Sequence, residues 1–385
     1  MIKRPRTYLD WASAAPVFPA AKRAFLAALP SFGNPSAPHE EGREGRELVE
    51  DARTRLARLM EVKADAVIFT SGATEANALA IEGAVRGSGK ALADIHILYL
   101  PTAHASSVKA IERLGKEGAQ VEALTLVDGS IDLTALKAQV RPETFLISLD
   151  AVCGETGTRH DSRSVKRALQ ELKREDILIH ADISQLPLVE SIERGRLGAD
   201  LITLDAQKVG GIRGVGALIV ERHIPLRPLV EGGGQERGLR SGTEPTALIA
   251  AFVTSLEECA HSRAAFVSRA ARMREGLVNC ALAIDGALVN EGKVHVPHIL
   301  NLSFTDRDTD YLVALLDEAG FAVSTRSSCE TDAEGSRVVL RMTGNQERAA
   351  STLRVSWGPS TTESEVERFQ KALTAQIAFL DQHAS

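Results

Sequence analysis

The sequence predicts an α/β protein with a mainly parallel sheet, followed by a smaller α+β unit. Between residues 66 and 220, segments with apolar residues at helical spacing alternate with short, continuously apolar segments. Such apolar runs are typical of parallel strands that helices cover on both faces. The last third of the chain carries longer helical segments and fewer strands. Together these observations favour an open sheet joined to a second unit of mixed structure.

The elements of the first unit follow one another in a regular order. A charged helix is predicted over residues 41–60, and the first buried strand, AVIFT, over 66–70. A helix over 75–85 comes next. The remaining elements alternate as strand 95–101, helix 105–115, strand 121–126, helix 133–140, strand 144–150, helix 164–174, strand 177–182, strand 200–205 and strand 214–220.

The final third begins with a long helical pattern over residues 246–284, in which we predict a break. Such a helix could bridge two domains. The elements predicted after it are strand 299–304, helix 310–320, strand 321–324, strand 353–358 and a terminal helix over 363–380.

Composition excludes several functional classes. A length of 385 residues suggests two domains. Hydrophobic residues make up 44% and charged residues 25%, and no apolar run is long enough to span a bilayer, so no membrane role is expected. The net charge of -6 argues against a nucleic-acid binder.

The four cysteines are Cys153, Cys259, Cys280 and Cys329. They show neither CxxC pairing nor zinc-ligand spacing, so no metal site is expected. Cys259 and Cys280 lie in apolar or helical contexts typical of packing residues. The basic N-terminus lacks the apolar core of a signal peptide, and we expect a cytoplasmic protein with reduced thiols.

Two motifs follow predicted strands at their carboxyl ends, where open α/β sheets bind ligands. In FTSGATEAN, the backbone at Ala73 and the hydroxyl of Thr74 suit a phosphate group, although an ordinary threonine-capped turn gives the same pattern. In HADISQ, Asp182 could pair with a protonated ring nitrogen, with Gln185 three residues later. A helix cap is an equally good explanation of that aspartate.

Two further motifs carry a lysine and a histidine. In DAQKVGG, Lys208 could be a nucleophilic amine, since partial burial lowers a lysine pKa, or simply a surface charge. In TAHASS, His104 could be catalytic or structural. The four motifs together offer a phosphate cradle, a carboxylate, a histidine and an amine for a Schiff base. Pyridoxal phosphate (PLP) needs that combination.

The sequence resembles the cysteine desulfurases of the NifS/IscS type, which belong to the class V aminotransferases of PLP fold type I. The resemblance runs nearly end to end and is carried by YLDWASAAPV, FGNPSAPHEEGREGRE, VIFTSGATEAN, HADISQ, DAQKVGG, GGGQERGLRSGTEP, ILNLSF, VSTRSSCETD and STLRVSWG. It implies a large PLP-binding domain, residues 14–250, with a mainly parallel seven-stranded sheet. A small α+β domain would comprise residues 251–385, completed by residues 1–13.

The resemblance also assigns roles around the cofactor ring. Lys208 would bind PLP as a Schiff base, and Asp182 would pair with the pyridine nitrogen. Gln185 would bond the ring hydroxyl, while His104 would stack on the ring and move protons.

Other roles concern the phosphate and the substrate. Ala73 and Thr74 would hold the phosphate, and Thr243 would reach the phosphate of a neighbouring subunit, which implies a homodimer. Arg354 would clamp the carboxylate of the L-cysteine substrate. Cys329 would be the nucleophile that receives the sulfur as a persulfide while L-alanine forms.

Cys329 lies in the polar stretch STRSSCETDAEGSR, for which we expect an exposed, mobile loop. An incidental surface cysteine is the alternative. Since the persulfide must be unloaded, a protein sulfur acceptor is expected, such as an iron–sulfur cluster assembly scaffold or another carrier.

Three positions depart from the family pattern. Gln207 replaces a histidine, Asp205 replaces a phosphate-binding serine, and Cys153-Gly154 replaces paired asparagines. Asp205 and Gln207 are still expected to lie at the cofactor. Because a carboxylate repels a phosphate, we expect Asp205 to turn away or to pair with a cation such as Arg213.

Two rival functions remain open. Another PLP lyase on this scaffold, acting on selenocysteine or cysteine, would form its product without Cys329. A catalytically silent scaffold protein in sulfur transfer would bind no PLP, and the substitutions at Asp205, Gln207 and Gly154 favour it.

Overall fold

The computed structural model describes residues 6–325 and 335–383. The helices in these ranges are α1 Pro19–Ala28, α2 Glu40–Met60, α3 Ala73–Ala78, α4 Ala84–Gly87, α5 Ala105–Lys116, α6 Leu133–Gln139, α7 Ser162–Glu171, α8 Arg194–Leu197, α9 Thr246–Leu282, α10 Thr309–Glu318, α11 Arg337–Thr343, α12 Gln346–Ala350 and α13 Glu363–His383. The strands are β1 Thr7–Tyr8, β2 Val67–Thr70, β3 His96–Tyr99, β4 Gln120–Ala123, β5 Leu126–Val127, β6 Ser130–Ile131, β7 Thr144–Asp150, β8 Leu178–Asp182, β9 Leu201–Asp205, β10 Gly216–Val220, β11 Ala287–Val289, β12 Ile299–Phe304, β13 Phe321–Ala322 and β14 Thr352–Ser356.

Seven of the described strands form the large sheet, in the order β2-β10-β9-β8-β7-β3-β4. The pairs from β9 through β8, β7 and β3 to β4 are parallel, whereas β10 is antiparallel to both β9 and β2. The residues of β2, β9 and β10 are buried throughout, as their continuous apolar sequences predict. The expected mainly parallel seven-stranded sheet is therefore confirmed.

The register of the sheet aligns the ends of its central strands. Asp150 at the end of β7 pairs with Asp182 at the end of β8, and Asp182 pairs with Thr203 in β9. Asp205 ends β9 opposite Gly216 of β10. Because parallel strands share one carboxyl edge, three aspartates meet along a short stretch of that edge.

Helices begin at the same edge of the sheet. The chain leaves β2 through Gly72, whose φ of +148° belongs to the region that favours glycine, and then enters α3. Helical structure continues from α3 through a π-helical segment, Leu79–Gly83, into α4. His104 caps the start of α5 by accepting a hydrogen bond from the backbone N–H of Ser106.

A second group of elements follows the large sheet. β11, β12 and β14 form an antiparallel sheet, and β1 pairs with β13 in parallel. The predicted break in the long helix is wrong, since α9 runs continuously from Thr246 to Leu282. Its buried residues continue through the polar middle of the segment at Cys259, Phe266 and Ala270, so one apolar face spans the whole helix. Within residues 6–325 and 335–383, no helix is long and apolar enough to cross a membrane.

Candidate active site

A cavity of about 310 Å³ opens at the carboxyl ends of β7, β8 and β9. Most of the residues that the sequence predicts for the site line this cavity: Ala73, Thr74, His104, Asp182, Gln185, Asp205, Gln207, Lys208 and Arg354. Thr243 is exposed and does not line it. Cys329 lies outside the described residues.

Lys208 reaches the cavity from a short 3₁₀ turn, Ala206–Lys208, that follows β9 directly. Its Nζ donates hydrogen bonds to the carbonyl oxygens of Ala12, at 3.0 Å, and Ser13, at 2.7 Å. The Nε2 of Gln185 donates to the same Ala12 carbonyl at 2.8 Å. The segment before α1 therefore closes one side of the cavity and fixes both side chains.

Asp182 is held by three hydrogen-bond donors. Its Oδ1 accepts hydrogen bonds from the backbone N–H of Ser184, at 2.9 Å, and from the Ser184 hydroxyl, at 2.6 Å. Its Oδ2 accepts one from Nδ2 of Asn77 at 2.8 Å. The residue is 7% exposed, so these donors, rather than water, satisfy its carboxyl oxygens.

Asn77 connects Asp182 to His104. Its Nδ2 also donates to the hydroxyl oxygen of Ser106 at 2.9 Å, and that hydroxyl lies 2.7 Å from Nδ1 of His104. Because the backbone N–H of Ser106 also donates to Nδ1, the proton of the neutral ring lies on Nε2. Sequence reasoning missed Asn77 and Ser106, although Asn77 lies three residues after Thr74 and so on the same face of α3.

Asp150 is a third cavity residue that sequence reasoning missed. It is 5% exposed, and its Oδ2 accepts a hydrogen bond from the backbone N–H of His104 at 2.7 Å. Burial, followed by repulsion from Asp182, raises the pKa of Asp150 to about 7. The signal was present in the sequence, because the strands LISLD, LIHAD and LITLD all end in aspartate.

Asp205 does not behave as expected. The structure places its Oδ2 2.9 Å from the backbone nitrogen of Ala73 and its Oδ1 2.8 Å from that of Gln207, and both N–H groups donate to it. The expectation that it turns away or pairs with Arg213 is therefore wrong. Two nearby backbone donors satisfy the carboxylate locally, and one of them lies at the start of α3 where a phosphate was expected. Burial raises the pKa of Asp205.

Arg354 points into the cavity from β14 and is 3% exposed. Its Nη1 donates to the carbonyl of Gly154 at 3.0 Å, and its Nη2 donates to Asp10 at 2.8 Å and to the hydroxyl of Ser13. The guanidinium is thus held with its charge compensated by Asp10.

The departures at Cys153 and Gly154 shape the same wall. Cys153 is buried, and burial raises the pKa of its thiol. A Cβ atom at position 154 would lie 3.2 Å from Nε2 of Gln185, closer than side chains normally pack. Glycine therefore leaves room for Gln185.

The sequence matches the family described as aminotransferase class-V over residues 7–369. This chain belongs to the class-V aminotransferase family. The predicted family and fold are confirmed, and enzymes of this family depend on PLP, in agreement with the expected cofactor.

Named relatives of this class-V aminotransferase include cysteine desulfurase IscS 1 of Archaeoglobus fulgidus, which is 30% identical over 96% of both chains. Cysteine desulfurase IscS of Neisseria meningitidis is 34% identical over 98% of this chain and 94% of its own. Among solved structures, a NifS-like protein superposes with a TM-score of 0.90 at 27% identity, covering 97% of this chain and all of that one. SspA in complex with cysteine gives 0.79 at 28% identity, covering 92% of this chain and 99% of its own.

The cavity of this class-V aminotransferase fits the ring of PLP. A buried carboxylate for the pyridine nitrogen, Asp182, and a lysine for the aldehyde, Lys208, line one enclosed space together with His104. At the phosphate end, Ala73 and Thr74 are in place at the start of α3, but the carboxylate of Asp205 holds the N–H of Ala73. The site fits the group, with one internal anion competing for the phosphate position.

Proposed function

We propose that this class-V aminotransferase is a PLP-dependent cysteine desulfurase that converts L-cysteine to L-alanine and retains the sulfur as a persulfide on Cys329. One observation carries the proposal: Lys208, at the end of β9, and Asp182, at the end of β8, line the same cavity as the buried cation Arg354. The relatives named as cysteine desulfurases, which span nearly the whole chain, support the choice of substrate.

The residues around the ring orient the cofactor and control protons. Bound PLP supplies an electron sink for the charge that develops at the substrate Cα. Lys208 would bind its aldehyde carbon, Asp182 would stabilise a proton on the pyridine nitrogen, and Gln185 would bond the ring hydroxyl. His104 lies on the cavity wall with Nδ1 bonded to Ser106, and it moves protons through Nε2.

The backbone of Ala73 and the hydroxyl of Thr74, at the start of α3, would hold the phosphate, together with Gln207, which lines the same cavity. For this to occur, Asp205 must release the N–H of Ala73 or take up a proton. We place Thr243 at the phosphate of a neighbouring subunit, in a homodimer, because it is exposed and lies off the cavity of its own chain.

The substrate carboxylate binds Arg354, exchanging for Asp10 as the partner of the guanidinium. The free amine of Lys208 removes the Cα proton. The thiolate of Cys329 then attacks the substrate sulfur. An S–S bond forms as the C–S bond breaks, the electron pair of the C–S bond stays on Cβ, and protons return to Cβ and to Cα to give alanine.

A protein thiol must accept the sulfur from Cys329, and an iron–sulfur assembly scaffold or another sulfur carrier is the partner we propose. We also propose a cytoplasmic location. In that compartment the thiols of Cys153, Cys259 and Cys280, which form no disulfide in the structure, would stay reduced.

The test is turnover of L-cysteine by the purified, PLP-loaded chain, with alanine quantified and the persulfide located by mass spectrometry. We expect alanine and a persulfide on Cys329 in the wild type, and neither in Lys208→Ala. In Cys329→Ser, PLP should stay bound while the persulfide is lost.

The outcomes separate the rivals. Alanine formation that persists unchanged in Cys329→Ser would favour another PLP lyase, on selenocysteine or cysteine. A wild type that binds no PLP and forms no alanine would identify a silent scaffold protein.

A further inference from the structure

Two carboxyl groups lie side by side at the floor of the cavity. Asp150 and Asp182 are register partners at the ends of neighbouring parallel strands, and both side chains line the cavity. They are 5% and 7% exposed, so water screens little of the repulsion between them. Two buried carboxyl groups at register positions of adjacent strands favour a state in which one of them keeps its proton.

The hydrogen-bond donors decide which of the two is charged. Asp182 receives three donors, from the backbone and hydroxyl of Ser184 and from Asn77. Asp150 receives one, the backbone N–H of His104. The other oxygen of Asp150, Oδ1, is buried and accepts no hydrogen bond from any described residue. A charged carboxylate in that position would leave an oxygen unsolvated, whereas a protonated carboxyl group would not.

The remaining charges around Asp150 come from three directions. Asp182 faces it from β8, His104 from the start of α5 and Arg337 from the start of α11. Asp182 raises the pKa of Asp150, while His104 and Arg337 lower it. Burial is the largest influence, and the resulting pKa of about 7 lies in the range where the group can change charge under physiological conditions.

We propose that Asp150 is a positioning residue of this site, which shares one negative charge with Asp182 by keeping its own proton while Asp182 is charged, and which anchors the backbone of His104 to the cavity wall. The proposal rests on the proposed function for the roles of Asp182 and His104 towards PLP. When Asp150 loses its proton, a second negative charge appears beside Asp182. The added charge favours the proton on the cofactor nitrogen, so the electronic state of bound PLP changes with the charge of Asp150.

The test compares the wild type with Asp150→Asn, in which an amide replaces the carboxyl group. The amide oxygen can still accept the N–H of His104, but the side chain is neutral at every pH. A second variant, Asp150→Leu, removes the acceptor as well. Two readouts are recorded on the full-length, PLP-loaded protein from about pH 5.5 to about pH 8.5, a range centred on the pKa of Asp150.

The first readout is the infrared C=O stretch of a protonated carboxyl group, as the difference between wild type and Asp150→Asn. We expect a band at the acid end of the range that disappears with a midpoint near the pKa of Asp150, about 7. The second is the visible absorption of bound PLP. We expect a change with the same midpoint in the wild type and its loss in Asp150→Asn, whereas Asp150→Leu should weaken PLP binding because His104 loses its anchor.

Three results would overturn the proposal. They are the absence of the infrared band at the acid end, an equal spectral change in the wild type and Asp150→Asn, and failure of Asp150→Asn to fold, since an amide closely matches a protonated carboxyl group in shape. The proposed function is tested separately, and it is wrong if neither the wild type nor any variant binds PLP or forms alanine. In that case the infrared band still shows whether Asp150 holds its proton.

Discussion

Replacing Asp205 by serine should tighten PLP binding. In the wild type, the Asp205 carboxylate accepts the N–H groups of Ala73 and Gln207, so it sits where the phosphate needs a donor. Serine removes the charge and frees the backbone N–H of Ala73. An added anion at the start of α3 then meets donors and the positive end of the helical segment, with no internal competitor.

The size of the effect follows from the distances. A phosphate bonded to the Ala73 nitrogen would lie about 4 Å from the Asp205 carboxylate, where two unit charges repel by about 4 kcal/mol at an effective dielectric constant of about 20. Asp205 can instead take up a proton, at about 1.4 kcal/mol for each unit of pH above its pKa. Because burial already raises that pKa, protonation limits the penalty. We therefore expect a gain smaller than this repulsion of about 4 kcal/mol, so that Asp205→Ser lowers the Kd for PLP by up to roughly 1,000-fold.

The assay titrates cofactor-free protein with PLP at fixed pH and follows visible absorption. Pyridoxal, which lacks the phosphate, is the matched control ligand, and its Kd should be the same for wild type and Asp205→Ser. Asp205→Asn keeps the size of the side chain and should share most of the gain.

The pH dependence has a definite sign. Protonated Asp205 tolerates the phosphate, so PLP binding to the wild type should weaken as pH rises through the raised pKa of Asp205. The phosphate and Lys208 titrate in both proteins, so the ratio of the two Kd values isolates Asp205. The reasoning is refuted if Asp205→Ser binds PLP no tighter than the wild type, or if pyridoxal gains as much as PLP.

Two stability predictions concern buried ionisable side chains away from the cavity. Arg53 donates hydrogen bonds to both carboxylate oxygens of Glu236, which also accepts the N–H of Phe69. Arg53→Met should lower the free energy of unfolding in urea by about 3 to 5 kcal/mol, because it leaves the carboxylate buried without its cation, and the double variant with Glu236→Gln should lower it by less. An equal or larger loss in the double variant would contradict this reasoning. Burial lowers the pKa of His298, packed against Phe266, to about 3. In the unfolded chain the imidazole takes up a proton near pH 6.5, so the wild type loses stability as pH falls below this value. Between pH 7 and pH 5, the free energy of unfolding of His298→Phe should fall by about 2 kcal/mol less than that of the wild type. An equal fall in both proteins would be evidence against a neutral His298.

The sequence predicts buried strands well because a strand covered on both faces must be continuously apolar. The predicted strand over 144–150 coincides with β7, Thr144–Asp150. The predicted strand over 121–126 is wrong in extent, because the chain leaves the sheet after β4 and forms the hairpin of β5 and β6. Each strand of this hairpin has two residues, which is too short for an alternation of apolar and polar residues to be recognised in the sequence. The two-domain division, residues 14–250 and 251–385 with 1–13, stays a prediction.

The site could be predicted only in part. Lys208, Asp182 and His104 follow strands directly, so their meeting at one edge is a consequence of parallel pairing. Asn77 lies inside a helix, and its two hydrogen bonds depend on how α3 packs against β8 and α5. Asp205 was assigned the wrong partner because charge alone was considered, whereas two backbone donors bond it, one of them only two residues away at Gln207 and the other at Ala73.

The three aspartates at the cavity floor show why position in a strand does not determine chemistry. Asp182 receives three donors, Asp205 receives two backbone N–H groups on separate oxygens, and Asp150 receives one. Since each donor favours the charged form, Asp150, with one donor and one buried oxygen that no described residue bonds, is the least suited of the three to a negative charge. The same residue at the same end of three neighbouring strands can therefore serve as a lasting charge, as a competitor of the phosphate and as a proton holder. The donors lie in the segments around the strands, namely the turns after β8 and β9, helix α3 and the start of α5, so these segments, rather than the strands, set the electrostatics of the site.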